Sequence, residues 1–156
     1  MFLVRHARHS LVDHVLVGRK PGVGLSAGGR REAAQLAARF AGRSIARVQS
    51  SPRRRARETA APLADALGLE VEIVPGLDEI DFGQWTGRCF DELAPDPRWQ
   101  AWNGARSMAR PPGGESMIEA QARVVGHIEQ LGCTLDGGNA VLVSHCDVIR
   151  AALLHV

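Results

Sequence analysis

A chain of 156 residues fits one domain, and two independently folded domains would be crowded into it. Hydrophobic residues at 45% and charged residues at 23% form an ordinary globular balance that excludes disorder and lets a core form. The formal net charge is +2, from 19 Lys and Arg against 17 Asp and Glu, so no global field steers the chain toward nucleic acid or membrane; affinity for anions must come from a local cluster.

Phe2-Leu3-Val4 is a short apolar run that breaks at Arg5-His6, as a buried strand delivering polar residues at its carboxyl end would. A glycine-punctuated loop follows over 18–24. From Ser26 a helix is expected, with Ala33, Leu36, Ala37, Phe40 and Ala41 on one face. Residues 45–49 alternate well enough for a second strand. Ser51-Pro52 then reads as an N-cap and first-turn proline. The helix behind it points Ala56, Ala60, Leu63, Ala64 and Leu67 inward and ends at a Gly68 cap.

Residues 71–74 are a third strand. The stretch 91–114 holds four of the eight prolines (Pro95, Pro97, Pro111, Pro112) and two of the three tryptophans, so a loop-rich insertion is expected over about 88–114. Ser116-Met-Ile-Glu119 matches a capping box, and Ile118, Ala122, Val125 and Ile128 continue a helical stripe to Gly132. Residues 140–144 are a final buried strand that again ends on a histidine, His145. Strands alternating with helices predict an α/β fold: a mainly parallel sheet with helices on both faces, one domain over 1–156.

Ligands bind outside the carboxyl ends of strands in open α/β sheets. Parallel placement of the first and last strands would bring His6, with Arg5, beside His145, and the second strand would add the arginine cluster beyond Ser50-Ser51-Pro52. Two arginines and two histidines converging on one point suit a phosphate dianion. A metal site built from His6, His9, His14, His145 and Asp147 is the rival reading; its spacing fits no standard helical pair, and the arginines would repel a cation.

Five motifs occur in order: Leu-Val-Arg-His at 3–6, Ser-Ser-Pro-x-x-Arg-Ala at 50–56 with Thr59-Ala60, Leu-Asp-Glu-Ile-Asp-Phe-Gly-x-Trp at 77–85, Pro-Gly-Gly-Glu-Ser at 112–116, and Val-Ser-His at 143–145. In this the chain resembles the histidine phosphatase superfamily, in its phosphoglycerate-mutase-like branch. Within the branch it is similar to small bacterial phosphatases whose first loop reads Gly-Arg-x-Pro-Gly-Val, as 18–23 do here. The resemblance implies a phosphoglycerate-mutase-like fold and a metal-independent phosphomonoesterase without cofactor, acting on a small phosphate ester. It makes His6 the nucleophile and phosphohistidine carrier, and Arg5 and Arg55 clamps on the nonbridging oxygens. His145 would donate to the phosphoryl group, and Glu79 would be the proton donor, with Asp78, Asp81 and Asp147 as rival acids. Arg53, Arg54 and Arg57 are expected on a solvated helix face.

Three departures from the family pattern carry expectations of their own. Ala7 follows His6 where glycine is commoner. No asparagine stands about six residues after His6, where Val12 and Asp13 are found, so Arg19 or Ser10 would supply that substrate contact. Cys146 replaces a glycine beside His145. Family members usually continue for a further helix and strand, whereas this chain stops at Val156; a tail that is absent or disordered, or a sheet closed in a shorter way, is expected. A phosphoglycerate mutase and a non-catalytic binder of phosphorylated ligands are the alternatives. Mutases typically carry a longer, arginine-bearing insertion; here Arg88, Arg98, Arg106 and Arg110 are available. Trp99, Trp102 and Met108 would pack over an organic leaving group or into the core.

Three cysteines (Cys89, Cys133, Cys146) without CxxC spacing suggest reduced thiols, and the short opening apolar run is no signal peptide. A cytoplasmic protein without nucleic-acid or membrane partners is expected, with a homodimer left open.

Overall fold

In the computed structural model residues 1–154 are described. The last two positions of the expected domain, and any tail after them, lie outside the described residues.

Four strands form one parallel sheet: β1 (Phe2–Arg5), β2 (Arg47–Ser50), β3 (Val71–Ile73) and β4 (Ala140–Ser144), in the order β1-β4-β2-β3. β4 is flanked on both edges and buried at all five positions, which is why its sequence is a continuous apolar run. β1 differs from expectation. It pairs only with β4 among the described residues, so Phe2, Leu3 and Val4 are half-buried and Arg5 is exposed.

Register decides what meets at the carboxyl ends. Arg5 lies opposite Ser144, and Ser50 opposite Val143. The ladder runs one residue further, His6 donating to the Ser144 carbonyl at 3.0 Å and Ser51 to that of Val143 at 2.9 Å. His6, Ser51 and His145 therefore leave the sheet side by side.

Helices cover both faces. On one side pack α1 (Ala27–Phe40) and α2 (Arg54–Leu67), burying Ala37, Phe40, Ala56, Ala60 and Leu63 against Val48, Val141 and Val143. Ser26 caps α1, its Oγ accepting from Gly29 at 3.0 Å, and Gly29 itself lies against the Arg8 carbonyl, leaving no room for a β-carbon. α2 starts later than expected. Arg53 occupies its N-cap position, and the Ser51 hydroxyl accepts from Arg53 N at 3.2 Å while also meeting the site described below. Gly68 ends α2 with φ at 67°, as its glycine predicted.

The opposite face carries α5 (Met117–Thr134) and α6 (Cys146–Leu153) over Leu142 and Ala140. The Ser116–Glu119 capping box forms, and the expected stripe holds only in part: Val125 and Ile128 pack half-buried against the core, while Ala122 is exposed. α5 buries Ala120, Val124 and Leu131, while Ile118 is 63% exposed. The cause is polar: Arg123 and His127 take inward positions, bonding the Gly76 carbonyl and Gln49, so the apolar residues mark the buried face poorly.

The expected loop over 88–114 holds two short helices, α3 (Phe90–Leu93) and α4 (Pro97–Gly104). Pro97 starts α4, and Asp96 caps it by accepting from Arg98 at 2.9 Å, so this proline opens a helix instead of marking a loop. Trp102 is fully buried beside Trp85 and Phe82, whereas Met108 is 89% exposed; the tryptophan belongs to the core. Two 3₁₀ turns, Pro75–Leu77 and Gly83–Trp85, bracket the acidic segment between them. None of the described helices is long and apolar enough to cross a membrane.

Candidate active site

His6 is nearly buried at the end of β1. Its Nδ1 lies 2.9 Å from the carbonyl of Ala7, an acceptor only, so this nitrogen carries the proton. Nε2 is left with its lone pair, which accepts from Arg55 Nε at 3.2 Å. Burial, with Arg55, His9 and Arg5 adding to it, lowers the His6 pKa to about 3 against the pull of the Ala7 carbonyl. The ring is neutral at ordinary pH, the state in which Nε2 is a nucleophile.

His145 stands 5.1 Å from His6, ring centre to ring centre, and is fully buried. Its Nδ1 is 3.0 Å from Arg55 Nη2. Burial, then Arg55 and His6, push its pKa well below the ordinary value. Arg55 joins the two rings from the first turn of α2, where it is 1% exposed. Its Nη2 also donates to the Gly18 carbonyl at 3.0 Å, and Thr59 ties the base together by accepting from Ala7 N and donating to Arg55 O. Arg55 Nη1 is buried and has no hydrogen-bond partner among the described residues.

Glu79 completes the group, its Oε2 lying 3.4 Å from His145 Nδ1 and 3.5 Å from Arg55 Nη2. Burial raises its pKa to about 7, outweighing Arg55 and the Ile80 amide that bonds Oε1. The other acids are engaged elsewhere. Asp78 holds Arg53 at 2.8 Å, Asp81 faces Arg19 and accepts from Gly83 N, and Asp147 pairs with Arg106 at 3.0 Å.

A cavity of about 240 Å³ opens onto this cluster, lined by Arg5, His6, Arg55 and Glu79 on its polar side and Leu16, Phe82 and Phe90 on its apolar side. A larger cleft of about 570 Å³ lies on the other side of His6 against α1, but Arg55 and Glu79 are absent from its walls. The smaller cavity is where the polar groups converge.

The structure thus brings together His6, Arg55, Glu79 and His145, with Arg5 at the cavity wall. It does not place Arg19 or Ser10 as expected. Arg19 is held by Asp78, Asp81 and Glu115 and donates to the Glu79 carbonyl at 2.7 Å, so it braces the acid's backbone. Ser10 is exposed and lines neither cavity. Arg53, expected in solvent, points inward to Asp78 and to the Arg19 carbonyl. Ser51 was missed because its Ser-Pro context reads as a helix start. Arg123, which also donates to the Glu79 carbonyl at 3.2 Å, was missed because a lone arginine on a helix carries no local signal. Among the described residues no group of His, Cys, Asp and Glu side chains is arranged to hold a metal ion.

The sequence pattern of the histidine phosphatase superfamily, branch 1, matches residues 1–156. This chain belongs to that superfamily. Among relatives of this histidine phosphatase chain, the bifunctional protein Rv2228c of Mycobacterium tuberculosis is 35% identical over 156 residues, covering 98% of the chain and 43% of the relative. The chain therefore spans less than half of that protein. A probable phosphoglycerate mutase, GpmB of Yersinia enterocolitica, is 32% identical over 148 residues, 93% of this chain and 68% of its own. Among solved structures, the mycobacterial glucosyl-3-phosphoglycerate phosphatase Rv2419c superimposes with a TM-score of 0.87 at 28% identity, over 99% of this chain and 78% of that one.

Proposed function

We propose that this histidine phosphatase chain is a metal-independent phosphohydrolase of small phosphate monoesters that works through a phosphohistidine at His6. The observation that carries the reading is the unpartnered Arg55 Nη1, buried beside a neutral, tautomer-fixed His6. A buried guanidinium N–H without an acceptor is costly, and a phosphoryl oxygen satisfies it. Arg5 and Arg55 offset charge on the transferring phosphoryl group, a task that Mg²⁺ performs in other phosphotransfer sites. The His6 lone pair attacks phosphorus while protonated Glu79 passes its proton to the leaving oxygen. Glu79, now a carboxylate, takes a proton from the water that attacks the phosphohistidine, releasing inorganic phosphate and restoring both groups. The unpaired Cys89, Cys133 and Cys146 support a reducing, cytoplasmic setting.

A mutase reading draws on the GpmB relative. The insertion's arginines speak against it. Arg88 pairs with Glu92, Arg98 with Asp96, Arg106 with Asp147 and Arg110 with Glu119, and none of the four lines the catalytic cavity. Assayed on a panel of phosphate esters in EDTA, the protein should release inorganic phosphate at its full rate. Loss on chelation that Zn²⁺ or Mg²⁺ restores would count against the proposal, and isomer exchange of phosphoglycerates outpacing phosphate release would make this a mutase.

The perturbed groups set a pH profile. Glu79 must be protonated for the first step, so kcat/KM should fall as pH rises through about 7. His6 must be neutral, so kcat/KM should fall only as pH drops toward about 3. The substrate's own second phosphate ionisation also titrates near neutrality. Glu79→Gln separates the two, because it removes only the enzyme's upper limb; an unchanged limb in that variant would assign it to the substrate.

A further inference from the structure

Ser51 has no place in the chemistry above, yet it is fully buried and its Oγ lies 2.7 Å from His145 Nε2. Hydrogen-bond accounting fixes the direction of the contacts His145 makes with Arg55 and Ser51, and Glu79 Oε2, 3.4 Å from Nδ1, fits the same arrangement when it carries its proton. Arg55 Nη2 can only donate, so His145 Nδ1 must accept. The ring's proton is then on Nε2 and is donated to Ser51 Oγ. That oxygen also accepts from Arg53 N at 3.2 Å, which uses both its lone pairs, and its own hydrogen goes to Asp78 Oδ1 at 3.3 Å. Asp78 is anchored in turn by Arg53 at 2.8 Å and by the Glu79 amide, also at 2.8 Å. The opposite tautomer would set two hydrogens against each other between Nδ1 and Arg55, and would break the Ser51–Asp78 bond.

We infer that Ser51 and Asp78, acting opposite Arg55, are positioning residues that hold His145 in its Nε2–H tautomer, with the Nδ1 lone pair turned toward Arg55 and Glu79. The inference deepens the phosphohydrolase reading and rests on it for its consequence in turnover, though not for the tautomer itself. A neutral His145 held this way presents an acceptor to Arg55 and Glu79, both of which line the cavity, so it becomes a donor there only after taking a proton at Nδ1. Ser51 and, through it, the Asp78 carboxylate stabilise the ring once it carries that proton, because Nε2–H already points along the line to the carboxylate.

Nitrogen-15 spectra of the histidine-labelled full chain near pH 7 test this directly. His145 should show a protonated Nε2 and an unprotonated Nδ1; a protonated Nδ1 with bare Nε2 overturns the inference, whether or not any variant folds. In Ser51→Ala the Nε2–H loses its acceptor while Arg55 still faces Nδ1, so the Nε2 resonance should shift away from its wild-type position, and kcat on small phosphate esters should fall about ten- to a hundredfold with KM little changed. Ser51→Thr, which keeps the hydroxyl, should recover the wild-type Nε2 resonance and most of the rate. Unchanged ring resonances and an unchanged kcat in Ser51→Ala would also overturn it. If the wild-type protein shows the expected tautomer but hydrolyses no phosphate ester, the functional reading fails and the tautomer assignment stands.

Discussion

Replacing His6 with alanine should abolish phosphate-ester hydrolysis together with a phosphoryl label that survives base and is lost in acid. The label is expected because Nε2 is the one nucleophilic lone pair at the end of β1, fixed by the Ala7 carbonyl and kept unprotonated by burial. Wild-type protein quenched in denaturant during turnover should carry that phosphate on the His6 peptide. The drop in rate should be on the order of 10⁵-fold or more, since removing the nucleophile of a covalent mechanism leaves only binding and electrostatic stabilisation. Fold integrity is checked by the unchanged thermal transition of the variant. Activity within tenfold of wild type would end the proposal, and so would a label on another residue.

Glu79→Gln divides substrates by their leaving groups. An alkyl phosphate leaves as a strongly basic alkoxide unless a proton arrives with bond cleavage, and Glu79, with its pKa lifted to about 7, holds that proton at the cavity wall. A p-nitrophenyl phosphate needs little protonation. General acid catalysis contributes about 10²–10⁴-fold, so the variant should lose that much on alkyl phosphates and far less in the phosphorylation step with p-nitrophenyl phosphate. Single-turnover kinetics on both substrates read the difference. Equal losses would reduce Glu79 to a structural role, and no loss would move the acid to Asp147, which also lines the cavity.

Much of this was legible because local signals and global fold agree. The apolar runs ending in His6 and His145 predicted parallel strands with polar ends, and β1 and β4 meet in that register. The glycine after α2 and the capping box of α5 are local devices, and they read true. The failures are places where a residue serves a distant partner. Ser51 looks like a cap and instead bonds a histidine 94 positions away. Arg19 looks like a substrate contact, but Glu115, 96 positions on, holds it. The inward face of α5 was legible at Val125 and Ile128 only, since two of its inward residues are an arginine and a histidine that serve loops and strand ends across the fold. Sequence periodicity reports burial of apolar groups and is silent on polar groups that are buried with their partners.

The acid and the phosphoryl pocket have different mountings that meet at Asp78, which bonds the Glu79 amide on one side and Ser51 on the other. His6, Arg55 and His145 stand on strand ends and on the first turn of a helix, locked to one another through the sheet. Glu79 rides on a turn whose carbonyl is gripped by Arg19 and Arg123, and both of those guanidinium groups are fastened to Glu115. Inherited change around α5 can therefore bear mainly on one mounting. On the proposed mechanism, substitutions that loosen Arg123 would tilt Glu79 against the leaving group while attack at phosphorus keeps its geometry. On the proposed function, a lineage built on this frame would exchange one alcohol for another by small shifts of that brace, with the phosphate half of the substrate recognised as before.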